Sequence, residues 1–250
     1  MIVRNDQAGW RIVFHSAHAL LAGRLASELL PPELPFWYET CTAIGMHDDH
    51  KKPFKAQANH YLTEVGTPLD FSMQSMNDET RLSESIYRIA EGIRKHRWIG
   101  LLVSKHTDFL YCNEATSKEM KRFLRSEARR RDSVLKSLGV DPQQLEESYQ
   151  WMRWCDRCSL ILCGDDVPAM SRKLEITWLP GSGRVDIWRD PTQRLHIEPW
   201  VFASSEIEFE VEQRIIQELS FKDDAQLWEA LTGCAPQLSK FHFQSEPAEA

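Results

Sequence analysis

His18, His47, Asp48, His106 and Asp156 stand far apart in the chain, each on what reads as the inward face of a helix. A buried imidazole or carboxylate is costly unless something binds it, and a shared metal would satisfy all five. Imidazole nitrogen with carboxylate oxygen suits Zn, Mn, Fe or Ni, whereas an all-oxygen set would suit Mg or Ca and thiolates would suit structural Zn. The His47-Asp48 dipeptide alone is weak, because nine His in 250 residues produce such pairs by chance; the weight lies in the whole set. The expected cofactor is one or two divalent transition-metal ions. Arg153 or Arg157 could instead hold Asp156 in an ordinary salt bridge.

Several helices must deliver these residues. Ile2-Val3-Arg4 and Trp10 to Phe14 read as a hairpin around Asn5–Gly9. Ser16 can cap a helix that ends before Pro31-Pro32, with His18, Leu21, Ala22, Leu25 and Leu29 on one face. A second helix spans about Pro35 to Asp49, and adjacent residues diverge by about 100° on a helix, so His47 and Asp48 can meet one metal only from the flank of its inward stripe. Residues 53–77 lapse into polar sequence of the length of a functional lid. Helical spacing returns from about Asp78 to Arg97 (Leu82, Ile86, Ile89, Ile93), and the apolar run Trp98 to Val103 delivers His106. An amphipathic helix from Ala115 ends at Gly139, its basic face either solvated or drawing an anion. Asp141-Pro142 then starts a helix reaching about Cys163 that carries Asp156 in apolar surroundings. Cys155-x-x-Cys158 lacks the second thiol pair a zinc site needs and reads as core packing.

Beyond Lys173 the period falls to two. Leu174–Trp178 and Arg184–Trp188 predict a hairpin, Leu195–Phe202 and Glu206–Ile216 two further strands, and Asp223–Leu231 a short helix. The expectation is a mainly α bundle with a small antiparallel sheet, α+β overall. It forms one domain over 1–250, with a helical core at about 16–163, a β-rich portion at about 172–218 and a mobile tail at about 244–250.

A 42% hydrophobic content with nine Trp supports a sizeable core. The net charge of −7 argues against a general nucleic-acid binder. No apolar stretch reaches the ~20 residues of a membrane span, no secretion-like start is visible, and the six scattered Cys lack the density of a disulfide scaffold. A cytoplasmic location with no membrane partner is the expectation.

The order His18, His47-Asp48, His106, Asp156 resembles the HD-domain superfamily of metal-dependent phosphohydrolases. More closely, the chain is similar to an uncharacterised bacterial family related to it, through Met1-Ile2-Val3-Arg4, His15-Ser16-Ala17-His18, His47-Asp48-Asp49-His50-Lys51, Ser104-Lys105-His106 and Asp156-Arg157-Cys158-Ser159-Leu160. His15 stands where that family usually has Gln, and His50-Lys51 where it has Gly-Trp. The resemblance implies an HD-like bundle and hydrolysis of a small phosphorylated substrate by metal-activated water, with Asp49 orienting or deprotonating that water, His106 as ligand of a second metal or as an imidazolium facing phosphate oxygens, and Lys51, Lys52 and Lys105 attracting phosphate. It also implies an alternative, a di-iron oxygenase recruiting His15, His50, His60 and His106; a non-catalytic metal- or ligand-binding module is a further reading, because no substrate-recognition motif is visible and fold resemblance does not establish activity.

Overall fold

The two N-terminal apolar runs pair as their alternation predicts. In the computed structural model, which describes residues 1–48 and 61–245, β1 (Ile2–Asp6) and β2 (Gly9–Val13) form a hairpin with Ile2 opposite Val13. Gly9 closes the turn at φ 137°, a conformation an L side chain resists. The chain enters α1 (His15–Glu28) directly from β2. Ser16, expected as the cap, lies inside the first turn; the capping position is Phe14, which supplies no side-chain bond.

α2 (Trp37–Met46) is shorter than the Pro35–Asp49 expected. His47 and Asp48 occupy the turn after its last residue, where His47 still holds right-handed backbone angles of φ −61° and ψ −26°. α1 and α2 meet backbone to backbone, since a Cβ built on Gly23 would lie 2.8 Å from the Cα of Gly45. Gly23→Ala should therefore destabilise the protein. Alanine's helix propensity returns about 1 kcal/mol, overpacking costs about 1–3 kcal/mol, and the helices that part carry His18 and His47. A melting temperature lowered by up to roughly 8 °C is expected by calorimetry; a raised one would contradict the contact.

α3 (Asp78–Lys95) is capped by Asn77, and α4 (Arg97–Tyr111) absorbs the whole apolar run from Trp98. The buried face of α3 is Ser85, Arg88, Ile89 and Gly92, while Ile86 and Ile93 are exposed. The apolar spacing thus mis-sets the stripe, because Gly92 takes the close approach to Gly100 of α4. α5 (Lys118–Leu138) starts at a Ser117 cap and ends at Gly139 in the left-handed region. One residue of its basic face is structural: Arg131 is buried, donates to the Ser104 hydroxyl and pairs with Asp108. α6 (Pro142–Gly164) begins with an Asp141/Gln144 capping box.

The chain then runs through β3 (Leu174–Leu179), β4 (Gly183–Arg189), β5 (Leu195–Glu198), β6 (Glu206–Ile216), α7 (Asp224–Gly233) and β7 (Gln237–Gln244). All seven strands join one sheet in the order β1-β2-β6-β7-β5-β4-β3, parallel only between β5 and β7. This overturns the mainly α bundle with a small antiparallel sheet. The fold is α+β with a seven-stranded mixed sheet, 49% helix and 21% strand. The physical reason is β7, which had read as weakly periodic tail. It inserts between β6 and β5, pairs with β6 from Gln237 to Gln244, and buries Phe241 and Phe243. Strand β5 stops at Glu198, short of Phe202, where Pro199 removes a ladder donor. Of the expected mobile tail, Gln244 pairs with Glu206 and the Ser245 amide donates to Ser205; residues 246–250 lie outside the described residues.

The inner face of the sheet, with Val185, Ile187, Phe209 and Phe243, shares one core with Leu21, Leu25, Trp98 and Trp154 of the helices. Helix α1 packs on β6 and α6 on β3, so the two helices carrying His18 and Asp156 are seated on the sheet. A smaller cluster, with Val3, Ile12 and Leu227, fills the opposite face of the hairpin. From the stretch 53–77 the described part begins at Tyr61. There, buried Asp70 accepts from the Val3 amide at 2.8 Å and pairs with Arg4 at 3.0 Å, anchoring a 3-10 turn at Phe71–Met73.

Candidate metal centre

Four helical segments converge on one point. Helix α1 delivers His15 and His18, the turn after α2 delivers His47 and Asp48, α4 delivers His106 and α6 delivers Asp156. His18 and His47 are 0% and 1% exposed. Asp48 Oδ2 lies 2.9 Å from His15 Nδ1, 3.0 Å from His18 Nε2 and 4.0 Å from His47 Nε2. His47 Nε2 lies 3.1 Å from Asp156 Oδ1. Ligands about 2.0–2.2 Å from a metal stand about 3–3.5 Å from their neighbours, so the three shorter spacings, which are also hydrogen-bond distances, are compatible with a coordination shell. Two triads satisfy the geometry, His15/His18/Asp48 and His18/His47/Asp156, each with ligand atoms within 4.8 Å of one another.

Tautomers sharpen the point. His47 Nδ1 donates to the Ile44 carbonyl at 2.6 Å, and a carbonyl can only accept. A neutral His47 therefore turns its Nε2 lone pair toward the Asp156 carboxylate, which is repulsive unless a cation lies between or Nε2 takes a proton. The same holds at His18 when the Ser159 hydroxyl donates to the Asp156 carbonyl at 2.8 Å, because it then accepts from His18 Nδ1 at 2.9 Å. An N–H given to a carbonyl or hydroxyl, with the other ring nitrogen aimed at the centre, is how metal-ligating histidines are oriented.

Without metal, protons take the cation's place. Burial would lower the His47 pKa, but the charges of Asp156 and Asp48 outweigh it and raise it to about 9. Burial would raise Asp48 and Asp156, yet the surrounding imidazoles hold both below the usual carboxylate range, Asp48 far below. His106 goes the other way, pushed down to about 4 by burial, with the positive charge of His47 adding to the effect. It is therefore neutral near pH 7. That disfavours the imidazolium role expected for it and leaves it as a neutral hydrogen-bonding group or ligand, its Nδ1 3.3 Å from the Tyr149 hydroxyl and its ring 5.3 Å from that of His47.

A cavity of about 210 Å³ opens beside the centre, lined in part by His15, Asp48, Arg88, His106 and Asp156. Arg88 was missed by sequence reasoning. It is buried, its Nη1 is 3.5 Å from Asp48 Oδ1, and its Nε has no hydrogen-bond partner among the described residues. Its place three residues after Ser85 and four before Gly92 was the available signal. Ser159 and Tyr149 were missed too, because orienting hydroxyls leave no pattern. His15, weighed only as an extra ligand, is in direct contact with Asp48.

Not every candidate joins. Lys105 pairs with Glu146 at 2.7 Å and does not line the cavity. Asp49, His50, Lys51, Lys52 and His60 lie outside the described residues. Neither arginine expected to hold Asp156 does so among the described residues: Arg153 lies over the Phe109 ring and Arg157 donates to the Glu175 carbonyl. Cys155 and Cys158 are buried thiols with pKa values raised by burial, as core packing requires.

Fold and site define an α+β protein with a buried His/Asp cluster fit for a divalent cation. The chain belongs to the DUF3891 family, whose members are described as proteins of unknown function and whose model matches residues 1–218. No curated protein and no solved structure matches it. That family membership carries no link to the HD-domain superfamily. No helix among the described residues is long and apolar enough to cross a membrane.

Proposed function

We propose that this chain is a metal-dependent phosphohydrolase in which His18, His47, Asp48 and Asp156 hold one divalent transition metal, with His15 and His106 at its edge. The observation that carries the reading is the His47 Nε2 lone pair set against Asp156 at 3.1 Å while Nδ1 is committed to Ile44. The mixed nitrogen and oxygen donors favour Mn, Fe, Ni or Zn. One ion is favoured over two because His18 Nδ1 is held by Ser159, so that imidazole has a single nitrogen to offer both triads.

Such a cation, when bound, lowers the pKa of a coordinated water toward neutrality and supplies Lewis acidity. The residues around it do the positioning. Arg88 presents its guanidinium to the cavity, where it can donate to phosphate oxygens. Asp48 tethers Arg88 through Oδ1 while Oδ2 faces the imidazoles. Neutral His106 can donate or accept a hydrogen bond at the reacting group without bringing an extra charge. In the reaction the ester P–O bond breaks and water supplies OH to phosphorus and H to the departing alcohol.

The test is to purify the chain without chelators, measure bound transition metal, and assay phosphomonoesters, phosphodiesters and nucleotides with added Mn, Fe, Ni or Zn. About one ion per chain with metal-dependent release of phosphate is expected. Bound metal with no turnover across the panel would leave a metal-binding module in place of a hydrolase.

A further inference from the structure

On α3, Glu84 and Arg88 stand four residues apart, in the order and at the spacing at which helical Glu and Arg side chains pair, and both line the cavity beside the metal centre. They do not pair. Arg88 is drawn to Asp48 at 3.5 Å, and Glu84 is left with neither an ion pair nor a hydrogen bond among the described residues. The other acids of the lining are accounted for. Glu114 is held by Arg81 at 2.9 Å, and Asp48 and Asp156 belong to the ligand set. A dication plus Arg88 set against those two carboxylates leaves one positive charge at the inner end of the cavity, while Glu84 leaves one negative charge a helical turn away.

We propose that the substrate is zwitterionic, a phosphate monoester of a small amino alcohol whose phosphate lies toward Arg88 and the metal ligands and whose ammonium lies against Glu84. The placement of the phosphate rests on the hydrolase reading above. Side chains at this helical spacing have Cβ atoms about 5–6 Å apart, which a spacer of two or three carbons between phosphorus and nitrogen matches.

Non-hydrolysable probes test the preference without turnover. Isothermal titration of the metal-loaded chain with 3-aminopropylphosphonate and with propylphosphonate should show the amine binding at least 10-fold tighter. In Glu84→Gln that margin should collapse to within about twofold, with propylphosphonate affinity and metal content unchanged. Equal affinities in the wild type, failure of both probes to bind, or a margin that survives Glu84→Gln would overturn the proposal. If the margin behaves as expected while 3-aminopropyl phosphate is not hydrolysed, the hydrolase reading fails and the zwitterionic preference stands.

Discussion

The double variant His47→Ala/Asp48→Ala is expected to bind no metal after purification, where the wild type carries about one ion per chain. Losing a residue that merely orients a ligand costs 10–100-fold in metal affinity, so removing two ligands should cost at least about a thousandfold. His47 and Asp48 also belong to one triad each, His47 Nε2 meeting Asp156 in one and Asp48 Oδ2 meeting His15 and His18 in the other, so the double variant breaks both. Phosphate release should fall to background in the same preparation. Thermal melts supply an independent readout, because a ligand present at a thousand times its Kd stabilises the folded state by about 4 kcal/mol. Added metal should raise the wild-type melting temperature and leave that of the variant unmoved. Ser159→Ala is the graded companion, expected to weaken metal binding about 10–100-fold by releasing His18 Nδ1. Equal metal content in wild type and double variant would sink the centre.

Truncation after Ala235 should abolish cooperative folding, although the family model itself ends at residue 218. Among the described residues, strand β7 is the only link between β6 and β5 in the sheet order, so its loss divides one sheet into β1-β2-β6 and β5-β4-β3. It also removes Phe241 and Phe243, both buried in the main core. Losing a buried Phe costs about 3–5 kcal/mol, and a whole domain is stable by only about 5–15 kcal/mol, so two together with a strand of ladder bonds exceed what the fold can lose. The point variant Phe243→Ala keeps the effect measurable, with a melting temperature lowered by roughly 6–20 °C. A chain ending at Ala235 that melts like the full-length protein would show that β7 does not hold the sheet together.

Local signals read well where the chemistry is local. The β1–β2 and β3–β4 hairpins, the Gly139 stop and the Asp141-Pro142 start all depend on a few neighbouring residues, and the structure has them. Strand β7 failed because Phe241 and Phe243 give only two inward apolar positions after an exposed Gln237–Lys240 stretch. Its partners lie 24 to 48 residues earlier, from Gln213 opposite Gln237 in β6 to Leu195 opposite Phe243 in β5. Arg88 was hidden for a similar reason, since an arginine on an amphipathic helix reads as solvated until Asp48 is seen to hold it.

By itself, the sequence determined which side chains could serve as ligands and which helices would carry them, because donor chemistry and helical period are properties of the residues and their spacing. The tertiary structure decided the rest: that β7 completes a seven-stranded sheet, that Lys105 turns to Glu146, and that Glu84 and Arg88 share a cavity without pairing. Those outcomes depend on where distant backbones meet, as at Gly23 and Gly45, and packing between elements leaves no period along the chain.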